Sequence, residues 1–200
     1  MGGSAGAPSA LQMALRHPDR VSALILLVPH TYKAPTKANS AAPMPAWVEA
    51  TMKRLLGSDF LFWAAIHIAR EQAIKVVLAT PPELLEAVSP QECALVNAMV
   101  DHILPVSTRA QGLSSDTSVG THLAPAALET LKVTTLIVSA RDDRYGTYAS
   151  AAYTARGIAG AKFVGFDQCG HTWLDHDDQV IPELAPARPK KQKSQQALTR

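Results

Sequence analysis

Between Ala7 and His17 the apolar residues Ala7, Leu11, Ala14 and Leu15 recur at helical spacing. Pro8 is tolerated in a first helical turn, and Pro18 closes the run. Ser22-Ala-Leu-Ile-Leu-Leu-Val28 follows, a short unbroken apolar stretch of the kind that fills a buried parallel strand. Lys132–Val138 repeats that pattern, and Lys162–Phe166 is a shorter version of it. Between these two, the alanine-rich stretch Tyr148–Ile158 predicts a helix. Strand, helix and strand in alternation predict an α/β fold built on a parallel sheet.

The interval between the first two strands, residues 29–131, is too long for a single crossover helix. Pro29–Pro45 is rich in Pro, Ala, Thr and Lys and reads as a loop. Helices are predicted over Ala46–Leu56, Ser58–Ala79, Pro81–Val88 and Ser89–Leu104, with Ser58, Thr80 and Ser89 at N-cap positions. Arg109–Gly120 is polar and reads as loop, and Pro125–Leu131 reads as the helix returning to the sheet. The domain organisation that follows is a core of residues 1–28 and 121–184, interrupted by a helical lid over residues 29–120. Pro182, Pro186 and Pro189 and the polar residues around them predict a disordered basic tail over residues 185–200.

A content of 47% hydrophobic and 18% charged residues describes one soluble globular domain and excludes a disordered chain. The formal net charge is +2, but Arg188, Lys190, Lys191, Lys193 and Arg200 lie in the last thirteen residues. Without them the body carries −3, which is no electrostatic footprint for nucleic acid. Two cysteines, Cys93 and Cys169, make no disulfide framework and point to a reducing, cytoplasmic setting. No apolar run reaches the roughly 18 residues of a membrane span, and no secretory leader is visible. No cofactor is implied, and the sequence fixes no oligomeric state.

Candidate chemistry starts at Gly2-Gly3-Ser4-Ala5-Gly6, which matches G-x-S-x-G, the nucleophile elbow. In such a turn the serine takes a strained backbone conformation that pushes its hydroxyl out, and flanking glycines let strand and helix approach. The Ala5 N–H would then face a developing oxyanion. Ser139-Ala-Arg-Asp-Asp-Arg144 places carboxylates directly after the second strand, at the end where open α/β sheets carry their ligands. Asp167-Gln-Cys-Gly-His171 puts a histidine after the third. The order Ser, Asp, His is the α/β-hydrolase order, unlike that of chymotrypsin or subtilisin.

With these segments the chain resembles the α/β-hydrolase superfamily, in "RHPDRVSALILLVP" (Arg16–Pro29), "TTLIVSARDD" (Thr134–Asp143) and "QCGHTWLDH" (Gln168–His176). The likeness extends to about residue 184, and the most similar patterns are esterases, carbon–carbon bond hydrolases and proline-iminopeptidase-like enzymes with helical lids. It implies a partial α/β-hydrolase fold: the last three parallel strands of that family's sheet plus the lid. It also implies Ser4 as nucleophile, Asp143 as acid and His171 as base. Gly2 and Gly6 frame the elbow, and a small hydrophobic substrate is cleaved through an acyl-enzyme. The family's Gly-x-x-Asp turn reads Ala140-Arg141-Asp142-Asp143 here, which leaves Asp142 as the rival acid.

The other reactive side chains carry plainer expectations. His171, Asp175, His176, Asp177 and Asp178 match no standard ligand spacing, so no metal is expected. Cys169 reads as a small buried residue. His17, His30, His67, His102 and His122 read as structural or surface residues, and Trp47, Phe60, Phe62 and Trp63 as lid core. Only three residues precede Ser4, so a strand entering the elbow and the second oxyanion donor are expected from a longer protein or an earlier start. The Ser22–Val28 strand is accordingly expected to present an open sheet edge. The competing reading is an inactive truncated remnant or a non-catalytic interaction module.

Overall fold

A computed structural model describes residues 1–34 and 45–184. Among them a parallel sheet runs in the order β1 (Gly2–Gly3), β2 (Ala23–Leu27), β3 (Thr134–Ala140) and β4 (Lys162–Phe166). Sequence reading found three of these strands. The fourth, β1, is two residues long and too short to leave an apolar pattern, yet it pairs Gly2 with Leu26 and Gly3 with Leu27. The expected open edge on β2 is therefore closed at its C-terminal end, and the β1 pairing stops short of Ala23–Ile25.

Alternation along the strands sorts side chains onto two faces. Leu24 and Leu26 of β2 and Ile137 of β3 meet Ala7, Leu11 and Ala14 of α1 (Ala7–Arg16) and Ala151 of α7 (Thr147–Gly157). Leu27, Leu136, Val138 and Ala140 point the other way, toward Phe166, Cys169 and Val180 of α8 (Asp177–Leu184). Each helix thus covers the sheet with its small or aliphatic stripe.

The long interval between β2 and β3 is helical: α2 (Ala46–Leu56), α3 (Asp59–Ile68), α4 (Arg70–Val77), α5 (Pro90–Asp101) and α6 (Ala110–Thr121), with a 3-10 turn over Pro82–Glu86. Phe62, Ile66, Ile74, Val96, Val100 and Val106 form its own buried cluster. Ser58 caps α3 by accepting from the Leu61 N–H, and Ser89 with Glu92 closes a full capping box on α5.

Several expectations give way here. The helix expected over Ser58–Ala79 breaks at Ala69, because Arg70 turns to bond Asn97 and Asp101 of α5. Thr80 caps nothing: its hydroxyl donates to Leu78 O. Arg109–Gly120, read as loop, is mostly α6, a helix of polar residues whose Thr117 and Thr121 hydroxyls bond carbonyls one turn back. Pro125–Leu131, read as a helix, holds only a 3-10 turn over Leu128–Thr130. Phe62 is core as expected, but Trp47, Phe60 and Trp63 are exposed. The basic tail and residues 35–44 of the first loop lie outside the described residues.

Candidate active site

Ser4 follows the two-residue strand β1 and opens a 3-10 turn, Ser4–Gly6, that runs into α1. Its φ is +46°, a conformation sparsely populated by any side chain other than glycine. A Cβ on Gly2 would stand 2.7 Å from Ala10 Cβ, so glycine there is what lets β1 and α1 touch. Gly6 differs: a Cβ at that position meets nothing within 4 Å, and its φ is an ordinary −78°. Close approach was expected at both glycines and is found at Gly2 alone. Ala5, the expected oxyanion donor, sits in the turn just ahead of α1.

The carboxylates after β3 divide the work between them. Asp143 is buried, and its Oδ2 lies 2.9 Å from His171 Nδ1. Its Oδ1 accepts from the Tyr145 N–H at 2.9 Å, and the Thr147 hydroxyl also donates to Oδ2. Asp142 points elsewhere: one oxygen accepts the N–H groups of Cys169 (3.1 Å) and Gly170 (2.9 Å). It therefore anchors the backbone of the histidine loop. Among the described residues no hydrogen bond joins the Ser4 hydroxyl to His171. The loop after β2 meets the elbow at His30, whose N–H donates to Ser4 O at 3.1 Å.

Tyr145 and Lys33 escaped the sequence reading. The Tyr145 ring meets the His171 ring edge-on, with centroids 4.9 Å apart and planes at 90°. Its hydroxyl donates to Val77 O of α4 at 2.9 Å. Burial and the Asp143 charge push that phenol up from its usual range. No motif marks this position, because its importance depends on a helix 68 residues away. His30, read as structural or surface, is exposed; partial desolvation and the charges of Lys33 and His171 lower its imidazole pKa, against an upward pull from Asp143.

Further contacts join the helical segment to this edge. Arg144 N–H donates to Ala79 O at 3.1 Å, Thr80 and Thr172 share a hydrogen bond at 3.2 Å, and Asp175 N–H donates to Glu92 at 2.8 Å. Leu174, two residues before His176, is buried in the apolar cluster of the helical segment. Cys169 is buried, and desolvation together with Asp142 and Asp143 pushes its thiol up to about 12, which makes it a poor nucleophile. Among the described residues no three His, Cys, Asp or Glu side chains group as metal ligands, and no helix is long and apolar enough to cross a membrane. A cavity of about 540 Å3 lies between α1 and α7 behind Thr31 and Tyr32, away from Ser4, Asp143 and His171.

A parallel sheet with a serine on a strained strand-to-helix turn after β1 and an Asp–His pair after β3 and β4 defines a hydrolase architecture of the α/β kind. The chain belongs to the alpha/beta hydrolase fold family, which it matches over residues 1–177. No curated protein matches it. Similar solved structures include an alpha/beta hydrolase fold protein from Nakamurella multipartita, at 21% identity, TM-score 0.52, and coverage of 90% of this chain and 64% of that one. An esterase from Exiguobacterium antarcticum is 19% identical, with TM-score 0.52 and coverage of 92% and 63%. A 2-hydroxy-6-oxo-6-phenylhexa-2,4-dienoate hydrolase from Rhodococcus is 21% identical, with TM-score 0.58 and coverage of 92% and 60%. At these identities the likeness is one of fold. This chain spans about three-fifths of those proteins' length, so the fold it carries is partial.

Proposed function

We propose that this chain carries the catalytic triad of a serine hydrolase, with Ser4 as nucleophile, His171 as general base and Asp143 as the acid that orients it. The reading rests on one conjunction: φ +46° at Ser4 on its turn, and the buried Asp143 bonded to His171 at 2.9 Å at the same end of the sheet. Asp143 accepts a hydrogen bond from the Nδ1–H of His171, which leaves Nε2 free to take the proton of the Ser4 hydroxyl. The serine oxygen then attacks the substrate carbonyl, and the Ala5 N–H donates to the developing oxyanion. Collapse to the acyl-enzyme expels the leaving group, to which His171 returns the proton. Water activated by His171 then hydrolyses the acyl-enzyme. The substrate class is a small hydrophobic molecule with an ester, amide or carbon–carbon bond to break.

The helices α2–α6 act in this reading as the lid. Support comes from the contacts of Tyr145, Arg144, Thr172 and Asp175 with the helical segment, which seat it on the end of the sheet that bears His171. A cover there excludes water from the reacting groups. Labelling by a fluorophosphonate probe tests the reading: the parent chain, or the whole protein that contains it, labels and the Ser4→Ala variant does not. Labelling that survives Ser4→Ala would remove Ser4 from the mechanism.

A further inference from the structure

His30 and Lys33 stand on the loop leaving β2, and the mechanism above uses neither. Lys33 is half-buried, and among the described residues it pairs with no carboxylate. Residues 29–45 contain no Asp or Glu, so its own loop offers none. The loop is fixed against the elbow by the His30 N–H bond to Ser4 O and against α7 by the Ser150 hydroxyl bond to Pro29 O. The His30 ring packs on bare backbone of α6, since a Cβ on Gly120 would lie 2.7 Å from its Cε1. The Lys33 ammonium lies 3.8 Å from where a Cβ on Gly146 would be. Gly146 in turn donates its N–H to Asp143 O, and it precedes α7, an eleven-residue helix whose N-terminus has no side-chain cap.

We propose that Lys33 and His30 form an anion-binding subsite beside Ser4, and that the favoured substrate carries a carboxylate near the bond to be cleaved. The inference rests on the hydrolase reading and narrows its substrate class. A half-buried ammonium without a counter-ion gains most from an anion that replaces lost water. The uncapped end of α7 adds positive potential on the same side. Partial desolvation and the Lys33 and His171 charges lower the pKa of the exposed His30 ring and favour its neutral form, so it supplies one neutral N–H donor. Asp143 is the opposing charge nearby, and its oxygens already accept from His171, Tyr145 and Thr147. One full positive charge and one neutral donor match a monoanionic carboxylate better than a phosphate dianion, which is usually clamped by bidentate or multiple cations.

The test compares kcat/KM for mono-4-nitrophenyl glutarate with that for 4-nitrophenyl valerate, an uncharged ester of similar length. The expected result is a preference for the anionic ester of about tenfold, the usual worth of one charge-assisted bond, eroded by added salt. Lys33→Met abolishes the preference, Lys33→Arg keeps it and Lys33→Glu reverses it. Hydrolysis with no charge preference, or a preference that survives Lys33→Met, overturns the subsite and leaves the hydrolase reading standing. Binding of the inert glutaric monoamide, followed through the His30 ring resonances, reads the subsite without turnover. Saturable binding that raises the His30 pKa and weakens about tenfold in Lys33→Met supports it even if neither ester is cleaved, in which case the hydrolase reading falls instead. Absence of binding overturns the subsite.

Discussion

Among the described residues, five that are not glycine hold a positive φ: Ser4, Val28, Ala79, Trp173 and Asp175. Four lie in loops at the C-terminal edge of the sheet, and Ala79 lies where the helical segment touches that edge, its carbonyl accepting from Arg144. α2–α6 contain none, and the core between them is a plain cluster of aliphatic and aromatic side chains. One region is shaped by strained backbone and by carboxylates, Asp143 buried and Asp142 partly so, with several donors each, the other by apolar packing. Strain of this sort costs about 1–3 kcal/mol per residue and persists only where the surroundings over-determine it. The helical segment supplies part of that over-determination. It receives Leu174 into its core and holds Tyr145, Arg144 and Asp175 by polar contacts.

The sharpest way to separate geometry from chemistry is the neighbouring pair Asp142 and Asp143. In the proposed triad, Asp143→Asn removes the group that holds the His171 tautomer and should lower turnover by roughly four orders of magnitude with little change in thermal midpoint. Asp142→Asn weakens the bonds to the Cys169 and Gly170 amides. Its main effect should be on stability, about 1–3 kcal/mol, with a smaller loss of turnover as the histidine loop loosens. Equal effects of the two on turnover would overturn the division of roles.

Leu174 tests the dependence of one region on the other. Leu174→Ala leaves every polar group of the proposed triad in place but empties a buried position shared by the histidine loop and the helical core. The expected loss is about 2–5 kcal/mol of stability, measured by denaturant unfolding, with hydrogen exchange accelerated in the histidine loop and in α5. Acceleration confined to the helices would show that the loop holds itself.

The same division explains what could be read from the sequence. β4 and α2 fall where their patterns place them, because each is set by local apolar spacing. The candidate triad was legible because Ser4 sits in a G-x-S-x-G motif and Asp143 and His171 follow two recognisable strands. α6 was not, since a stretch of Gly, Ser and Thr looks like loop and buries no side chain to create a periodic stripe. The break at Ala69 carries neither Gly nor Pro; it is imposed by Arg70 reaching residues 27 and 31 positions away. Asp142 could be read only as the rival acid, because the Cys169 and Gly170 amides it accepts from lie 27 and 28 residues away. β1 was invisible because two glycines have no side-chain pattern at all.

A subtler test lies within the elbow. Gly2→Ala places a Cβ 2.7 Å from Ala10 Cβ and under 3 Å from backbone atoms of Gly6 and Ala7. It should cost about 1–3 kcal/mol by overpacking and displace Ser4. Gly6→Ala enters open space at an ordinary φ, so it should be neutral or gain a few tenths of a kcal/mol, about what is recovered when the unfolded chain loses freedom. Comparable damage from both would mean that the approach of β1 to α1 is not what the first glycine serves.

Glu92 gives the smallest effect and the one that depends on pH. Its carboxylate closes the capping box of α5 and also accepts the Asp175 N–H, so it is shared by the two regions. The bond from Asp175, followed by that from the Ser89 hydroxyl, holds its pKa below the usual value of 4.5. Because the folded pKa is the lower one, the unfolded chain binds the proton more tightly. The stabilisation is therefore full above about pH 4.5 and is lost as pH falls through the folded value. Glu92→Gln keeps the acceptor geometry and removes the charge. Its thermal midpoint should lie below that of the parent at pH 7, and the gap should close as pH falls through the folded pKa of Glu92. A gap that stays constant from pH 7 to 3 would mean that the tie between the helical segment and the histidine loop is one of shape, with no share carried by charge.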